Sequence, residues 1–369
     1  MTVRMKDIAQ HLGLSVITIS KVLRDHPDIS EGTKARVLQY VKKLDYQPNV
    51  LARSLVTGHS YLVGLIVPDL IHPFFAEIAK TLSDTIRPAG YSLIIASSEE
   101  DAELETQEIR QLVARQLDCL VIASTASSPE QFNRLDENGT KYVLIDRGFP
   151  GLTANFSGSD DAVAGQIATR HLIDMGCKRI AHIRGRDNST GVARCEGYRQ
   201  ALKEARMPYR EQMVIRRTSV DVASKQQGAE AMKLLLKQTP RPDGVFCYND
   251  PLAIGAMNAI LDAGLRVPED VAIIGCGNLH YDDSLRVPLS SVDQHSKRIG
   301  QSAGEMVLAC ISAKAKLKPA SVIVTPTLVI RLSSQKNGAT KIVASHQGEL
   351  PPPTHTSQKK SSDEALQQV

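Results

Sequence analysis

Two short amphipathic runs separated by a three-residue turn, at the very start of the chain, constrain it more than any other feature. Met5 to Leu12 (MKDIAQHL) places Ile8, Ala9 and Leu12 on one side of a helix. Gly13-Leu14-Ser15 supplies a tight turn, and Ser15 is an N-cap for a second helix, Val16 to Leu23. In that second helix Ile19, Val22 and Leu23 fall on the inner side. Ile17, Ser20, Lys21 and Arg24 share the outer face, with Val16 at the first turn. A third helix, capped by Ser30 and running from Glu31 to Leu44, is expected to close the core through Val37, Leu38, Val41 and Leu44. The arrangement is a helix-turn-helix, whose second helix offers its N-terminal end to a DNA major groove.

Charge agrees with that reading. Residues 1–59 hold nine Lys and Arg against five Asp and Glu, and the remaining 310 hold 35 of each. The whole net charge of +4 therefore sits on the headpiece, where phosphates would be neutralised. A solvated charged surface explains a surplus of this size equally well, so the helices carry the argument.

Tyr46-Gln47-Pro48-Asn49 breaks the chain, and Asn49 can cap Val50 to Leu55, a segment too short to be helical alone in water. DIAQHLGLSVITISKVL followed by YQPNVLARSL resembles the headpiece and hinge of the lac-repressor (LacI/GalR-type) family. The resemblance implies DNA contacts from Ser15, Val16, Ile17, Thr18, Ser20 and Lys21, and from Asn49, Ala52, Arg53 and Leu55 in the hinge. It makes Leu55 a wedge between central base pairs, bending the duplex when two hinges pair in the minor groove. Taken by itself, Leu55 also reads as a satellite core leucine in a linker.

From Leu62 onward, apolar strand-like runs alternate with amphipathic helical ones, the pattern of parallel sheets covered on both faces. Strands are expected at Leu62–Val67, Ser92–Ala96, Cys119–Ala123 and Tyr142–Ile145. After Asp160, a candidate N-cap, they are expected at Ile180–Ile183, Val214–Arg217, Gly244–Cys247 and Val271–Ile274. A helix near Ser296–Ile311 and strands near Val322–Val324 and Leu328–Ile330 would complete both units. VGLIVPDLIHPFFAEI, YSLIIASSEED, VLIDRG, STGVARCEGY, VFCYNDPLAIGAM, RVPEDVAIIGCGN and PLSSVDQ follow in the order of the same family's regulatory domain. The resemblance implies a type I periplasmic-binding-protein-like domain of two doubly wound parallel-sheet lobes behind an all-α headpiece. The expected limits are 1–46 for the headpiece, 47–60 for the hinge and 61–335 for the effector-binding and dimerisation domain. Within that domain the N-lobe takes about 61–160 and 294–322, and the C-lobe about 161–292 and 323–335. The segment 336–369, rich in Ser, Gln, Lys and Pro, reads as a disordered tail.

In such a fold ligands bind between lobes at the carboxyl ends of the strands. The resemblance puts Phe74 and Phe75 on the first loop as an apolar wall, Ser97 and Ser98 after the second strand, and Asp146 and Arg147 after the fourth. From the other lobe it brings Asn188, Thr190, Arg194, Asn249 and Asp250. A guanidinium fork at Arg194 suits a carboxylate, a phosphate or sugar diols. On spacing alone Arg194 reads as a surface ion-pair arginine and Asp146 as a cap or interlobe salt bridge. Asp250 reads as the N-cap of a helix from Pro251, and Phe74 as lobe core. One position departs from the family: where an aspartate commonly holds ligand hydroxyls, this chain has Gly277, within GCGN. Asn278 or His280 is left to replace it, and an unmodified hexose held in the usual way is disfavoured.

Other function classes fit less well. The chain has no G-x-x-x-x-G-K-[ST] loop, no G-x-G-x-x-G after the body's first strand and no G-x-S-x-G elbow, so no enzyme class is indicated. Cys276 with His280 falls short of a four-ligand zinc site, and neither metal nor cofactor is expected. The six cysteines are scattered without a C-x-x-C, which fits reduced thiols. With no run of roughly 18 apolar residues and no apolar leader, a cytoplasmic protein is expected. A transport-binding protein would share the fold without the headpiece, and a DNA binder indifferent to small molecules would share everything but an effector. The reading is a repressor that binds a pseudo-palindromic operator as a homodimer, a tetramer being left open. Its effector would be sugar-derived or anionic.

Overall fold

A computed structural model describes residues 3–23, 25–46, 54, 57–217, 223–313, 315 and 317–336. The expected headpiece helices form as α1 (Met5–Leu12), α2 (Val16–Leu23) and α3 (Glu31–Lys43). Gly13, at φ +65°, ends α1 in the left-handed conformation that lets Leu14 N–H bond Ala9 O at 3.0 Å. Ser30 Oγ accepts from Thr33 N–H at 3.4 Å, capping α3. Ile8, Ala9, Ile19, Val22 and Val37 are the buried core, with Val41 and Leu44 packed against it. Leu38 is not part of it: it is 49% exposed. Val37, Val41 and Leu44 follow a 3.6-residue period and Leu38 lies about 100° around the helix from Val37. Tyr40 takes the inward place instead, stacked on His11 at 4.3 Å.

The body holds two six-stranded sheets. The N-lobe sheet comprises β1 (Leu62–Val67), β2 (Ser92–Ser97), β3 (Cys119–Ile122), β4 (Tyr142–Ile145), β5 (Asn155–Ser159) and β11 (Ser321–Val324). Its order is β11-β5-β4-β3-β1-β2, and every pairing is parallel. Helices α4 (Pro73–Ile86) and α11 (Ser296–Ser312) cover one face, and α5 (Ala102–Ala114) and α6 (Glu130–Glu137) the other. The C-lobe sheet comprises β6 (Ile180–Arg184), β7 (Val214–Arg216), β8 (Gly244–Cys247), β9 (Ala272–Cys276), β10 (Ser290–Asp293) and β12 (Thr327–Val329). Its order is β12-β10-β9-β8-β6-β7, with only β12 antiparallel, against β10. Helices α7 (Asp161–Asp174) and α8 (Ser189–Glu204) pack on one face, α9 (Ala223–Leu236) and α10 (Asp250–Asp262) on the other.

Asp160 caps α7 as expected, accepting from Val163 N–H at 3.0 Å. β5 and β10 have no counterpart in the sequence reading, because NFSGS and SSVD lack an apolar run. Their serines are buried by hydrogen bonding instead: Ser157 Oγ reaches Ile299 O at 3.1 Å, and Ser291 Oγ reaches Asp250 Oδ1 at 2.6 Å. The chain crosses between lobes after β5, after β10 and between β11 and β12. This last crossing comes at residues 325–326 rather than 322–323, since β11 stays in the N-lobe sheet to Val324. Both sheets point their carboxyl ends at the space between the lobes, where β4, β6 and β8 release the loops that carry polar side chains.

Candidate functional site

The exposed face of α2 is the first candidate. Ser15 Oγ accepts from Thr18 N–H at 3.0 Å and lies 2.8 Å from Thr18 Oγ1, so the two hydroxyls fix the helix start. Val16 and Ile17 follow at the open end, 43% and 69% exposed. Large apolar side chains so exposed on an otherwise packed three-helix unit present methyl groups outward. Ser20 lies half-buried on the same helix. Lys21 is held by Asp28, its Nζ 2.5 Å from Oδ2, and His26 Nδ1 bonds the same carboxylate at 2.7 Å. The lysine beside Asp28 holds that carboxyl below its ordinary range. Arg24, Asn49, Ala52, Arg53 and Leu55, and with them the hinge helix, lie outside the described residues.

The second candidate is the cleft. Phe74 and Phe75 do not lie on a loop: they form the first turn of α4, which Pro73 opens and His72 caps. Their rings meet edge to face at 5.1 Å and are buried in the N-lobe core. Ser97 ends β2 with its hydroxyl on Glu99 at 2.5 Å, and Ser98 is buried against Val67 O at 3.4 Å.

Asp146 and Arg147 sit at the end of β4. Asp146 adopts a left-handed backbone (φ +61°), which turns both side chains inward. Arg147 grips Glu100 through two nitrogens, at 2.7 and 3.2 Å, and reaches Ser124 O at 3.3 Å. Among the described residues the Asp146 carboxylate keeps only the neighbouring Arg147 Nε, at 3.5 Å, and burial pushes its carboxyl up against the pull of Arg147 and of Arg194. That pull crosses the cleft, because Arg194 belongs to α8 of the other lobe.

Arg194 is a buried ion-pair residue, not a surface one. Its Nε and Nη2 both lie 2.8 Å from Asp161 Oδ1, Nη1 donates to Tyr248 O at 2.6 Å, and its guanidinium stands 4.5 Å over the Tyr248 ring. Close packing of α7 and α8 makes this possible: a Cβ at Gly165 would lie 2.1 Å from Arg194 O, so only glycine fits. Thr190 Oγ1 bonds Tyr248 Oη at 2.8 Å and Asn188 Oδ1 at 3.0 Å, while Asn188 also caps α8 through Gly191 N–H at 2.9 Å.

The cap of α10 is Asn249, whose Oδ1 accepts from Leu252 N–H at 2.9 Å; Asp250 is the helix's first residue. Asn249 Nδ2 is buried and has no partner. Asp250 turns away toward β10, accepting from Ser291 Oγ at 2.6 Å and Leu279 N–H at 3.2 Å. Its carboxyl adjoins that of Asp282, whose two oxygens are buried without a hydrogen-bond partner; burial and the Asp250 charge push Asp282 up to about 9. Asn278, at φ +47°, spends its side chain on Asp293 (3.1 Å) and Arg331 (2.7 Å).

The structure thus brings Asp146, Arg147, Thr190, Arg194 and Asn249 to one place and diverts Phe74, Phe75, Asp250 and Asn278 into packing or internal networks. Sequence reasoning missed Asp161, Tyr248 and Glu100. Tyr248 adjoins Asn249 in VFCYND, and its position at the end of β8 was the available signal. At the mouth the lobes touch directly: Arg186 Nη1 donates to Glu100 O at 3.2 Å, and Gly148 N–H to Ser189 Oγ at 3.1 Å. Among the described residues no three His, Cys, Asp or Glu side chains gather as a metal site, and no helix is long and apolar enough to cross a membrane.

Residues 4–49 match the family model described as bacterial regulatory proteins, lacI family. Residues 60–334 match periplasmic binding proteins and sugar binding domain of LacI family. The HTH-type transcriptional repressor PurR of Haemophilus influenzae (strain PittEE) is 31% identical over 333 residues, 89% of this chain and 98% of that protein. PurR of Pectobacterium carotovorum subsp. carotovorum (strain PC1) is 33% identical over 335 residues, 89% and 96% of the two. Among solved structures, a transcriptional regulator CelR–cellobiose complex superposes with a TM-score of 0.68 at 27% identity, covering 90% of this chain and 99% of that one. The lac repressor dimer bound to operator and the anti-inducer ONPF has the same fold, with a TM-score of 0.79 at 20% identity over 91% of this chain and 100% of that one. With family models matched over both its headpiece and its body, this chain belongs to the LacI family of bacterial regulatory proteins.

Proposed function

We propose that the chain is a repressor that binds a pseudo-palindromic operator as a homodimer and is switched by a small molecule held between its lobes. The observation that carries this reading is the pairing of an exposed helix-turn-helix face with a polar cleft whose walls come from both lobes. Val16 and Ile17 read half-site bases through thymine methyls, Lys21 donates to guanine, and Ser15, Thr18 and Ser20 orient the helix. Asn49, Ala52, Arg53 and Leu55 pair with a second hinge in the minor groove. Protein of this kind works where the chromosome is, in the cytoplasm, and acts by binding, without catalysis.

In the cleft, Asn249 Nδ2 is a buried donor without a partner and Asp146 a buried carboxylate with one weak partner. A ligand offering an acceptor to the first and a hydroxyl or N–H to the second would satisfy both. Because Asp146 and Arg194 belong to different lobes, a ligand that bridges them changes the preferred lobe spacing. That spacing couples effector affinity and operator affinity reciprocally.

A second copy of the chain fits the edge of the N-lobe. β2 ends the sheet there, Leu70, Ile71 and Ile95 are exposed, and a groove of about 360 Å³ is lined by Val67, Phe75, Ala79, Leu93 and Ile95.

Gly277 and the internally bonded Asp250 and Asn278 favour a second reading, a DNA-binding regulator that answers to no small molecule. Operator fragments selected from random DNA, then titrated with candidate effectors in a fluorescence anisotropy assay, decide between the two. Operator affinity that shifts with ligand supports the switch. Specific binding unmoved by any ligand that the cleft is shown to bind favours the second reading. Absence of sequence-selective binding sinks both.

A further inference from the structure

We propose that Asp118 is the positioning residue that sets the direction in which the hinge leaves the body, and so the half-site spacing that a dimer accepts. The proposal rests on the chain being an operator-binding dimer and adds the residue that places its two headpieces.

Asp118 stands between the turn that ends α5 and the first residue of β3. Its carboxylate faces the stretch of chain that leads into β1. Oδ1 accepts from Ser60 N–H at 3.1 Å and Oδ2 from Tyr61 N–H at 2.9 Å, and His59 Nδ1 lies 3.4 Å from Oδ1. One carboxylate thus holds two successive backbone donors and an imidazole, and its side chain is only 9% exposed. Successive N–H groups of an extended chain point to opposite sides, so the backbone bends at Ser60 around the carboxylate. Tyr61 follows at φ +59°, a left-handed conformation that persists in a tyrosine only where its surroundings impose it. Here Ser92 N–H donates to Tyr61 O at 3.0 Å, and the Tyr61 ring packs on Tyr91 at 5.5 Å.

Both anchors belong to the sheet. Ser92 opens β2, Asp118 immediately precedes β3, and Asp118 N–H bonds Leu62 O at 3.0 Å beside the β1–β3 pairing. Residues 60 and 61 are therefore fixed to three adjacent strands and turn with the N-lobe as one body. The sheet itself does not need this clamp. β1 begins at Leu62, already paired with β2 and β3 on its two sides, and the carboxylate acts on residues ahead of it. The bonding continues toward the hinge: His59 N–H donates to Thr57 Oγ1 at 3.3 Å, and Gly58, at φ +71°, bonds Ser54 O at 2.8 Å. A free linker would let each headpiece wander, whereas a clamped one carries a direction. In a two-fold dimer that direction is repeated by the partner and fixes the separation of the headpieces, which half-site spacing measures.

The test uses the full-length protein and an operator that the wild type selects from random DNA, with a copy carrying one extra base pair between the half-sites. The insertion moves one half-site by about 3.4 Å and turns it by about 35°, so the wild type should bind the copy at least about tenfold more weakly. Asp118→Ala should bind the original operator about tenfold more weakly, and its penalty for the extra base pair should shrink to about threefold or less. Its affinity for nonspecific DNA should match the wild type's, because the headpiece is untouched. Asp118→Asn, which keeps one acceptor oxygen and the shape, should fall between the two and decides the matter if Asp118→Ala does not fold. A penalty in the folded variant as large as the wild type's would leave spacing to hinge pairing alone and overturn the proposal. So would a wild type indifferent to the extra base pair, or equal losses on specific and nonspecific DNA. A wild type that selects no sequence sinks the operator-binding reading itself, and the proposal with it.

Discussion

Asp250 fills the space that a side chain at Gly277 would need: a Cβ on that glycine would lie 2.8 Å from Asp250 Oδ2. Gly277 also stands at φ +138°, a backbone region that L side chains rarely adopt. The missing aspartate of the family pattern is thus part of a rebuilt corner in which Asp250 bonds Ser291 and Leu279 and adjoins Asp282. Gly277→Asp is expected to destabilise the fold by about 2 kcal/mol or more, from strain and like-charge contact, rather than to create sugar affinity. Urea unfolding checks the first part and calorimetry with glucose the second. A stable variant that gains glucose binding would show that the corner is adaptable after all.

The same corner gives the protein a pH signature. Asp282 keeps its proton to about 9 when folded but only to its ordinary value of 3.8 when exposed. Between these limits the folded chain holds the extra proton. The stability it contributes is therefore full at and below about pH 4 and is lost progressively as the pH rises through about 9. Unfolding free energy should fall between about pH 5 and pH 9, and Asp282→Asn, which keeps a donor for Asp250, should flatten that slope. Equal slopes in the two proteins would place the proton elsewhere.

Arg194 and Asp161 make a buried pair, so removing one partner strands the other. Arg194→Ala should cost about 3–5 kcal/mol of stability in addition to its effect on the effector response. Arg194→Met combined with Asp161→Leu should recover most of that loss, because the uncompensated charge is gone. Chemical denaturation of the two variants compares them directly. If the double variant is no more stable than Arg194→Ala, the ion pair is not the source of the loss.

Legibility in the sequence followed the chemistry of burial. Runs such as LVGLIV and YVLI announce strands because an apolar run must be covered on both faces, and their limits agree with the structure to the residue. NFSGS and SSVD gave no such sign, since a serine becomes a core residue only when a tertiary partner accepts its hydroxyl. Arg194 and Asp146 were found from their neighbours in sequence. Asp161 and Tyr248 were not, because what makes them matter is a helix contact permitted by Gly165 and a cation–π stack across the sheet. Asp250 read as a cap because it precedes proline, yet Asn249 took that role and freed the carboxylate for the corner beside Gly277.

The headpiece carries a charge latch. Lys21, the base-reading lysine of the proposal, pairs with Asp28 in the free protein, so it must exchange a carboxylate for DNA. Asp28→Asn should raise nonspecific DNA affinity by removing that competitor and one negative charge. The slope of log affinity against log salt should steepen by up to about 0.9 if Lys21 then neutralises one more phosphate. An unchanged slope would mean that Lys21 never leaves the protein for the backbone.

Sequence choice should rest on the two apolar residues beside it. Val16 and Ile17 stand exposed at the open end of α2, where Ser15 and Thr18 lock the first turn and so fix the direction of both side chains. A methyl-rich pair in the major groove favours thymine C5-methyl groups and offers no hydrogen bond to guanine or cytosine. Replacing Val16 and Ile17 with Thr and Gln should leave folding intact, because neither is in the headpiece core, and nonspecific binding should change little, because no charge is altered. The preferred half-site should change instead, at the one or two base pairs under these residues, each worth about 1–3 kcal/mol of discrimination. Selection from random DNA with both proteins reads this out. An identical consensus would show that α2 does not read bases through Val16 and Ile17, and the half-site would then have to be chosen by phosphate geometry or DNA shape.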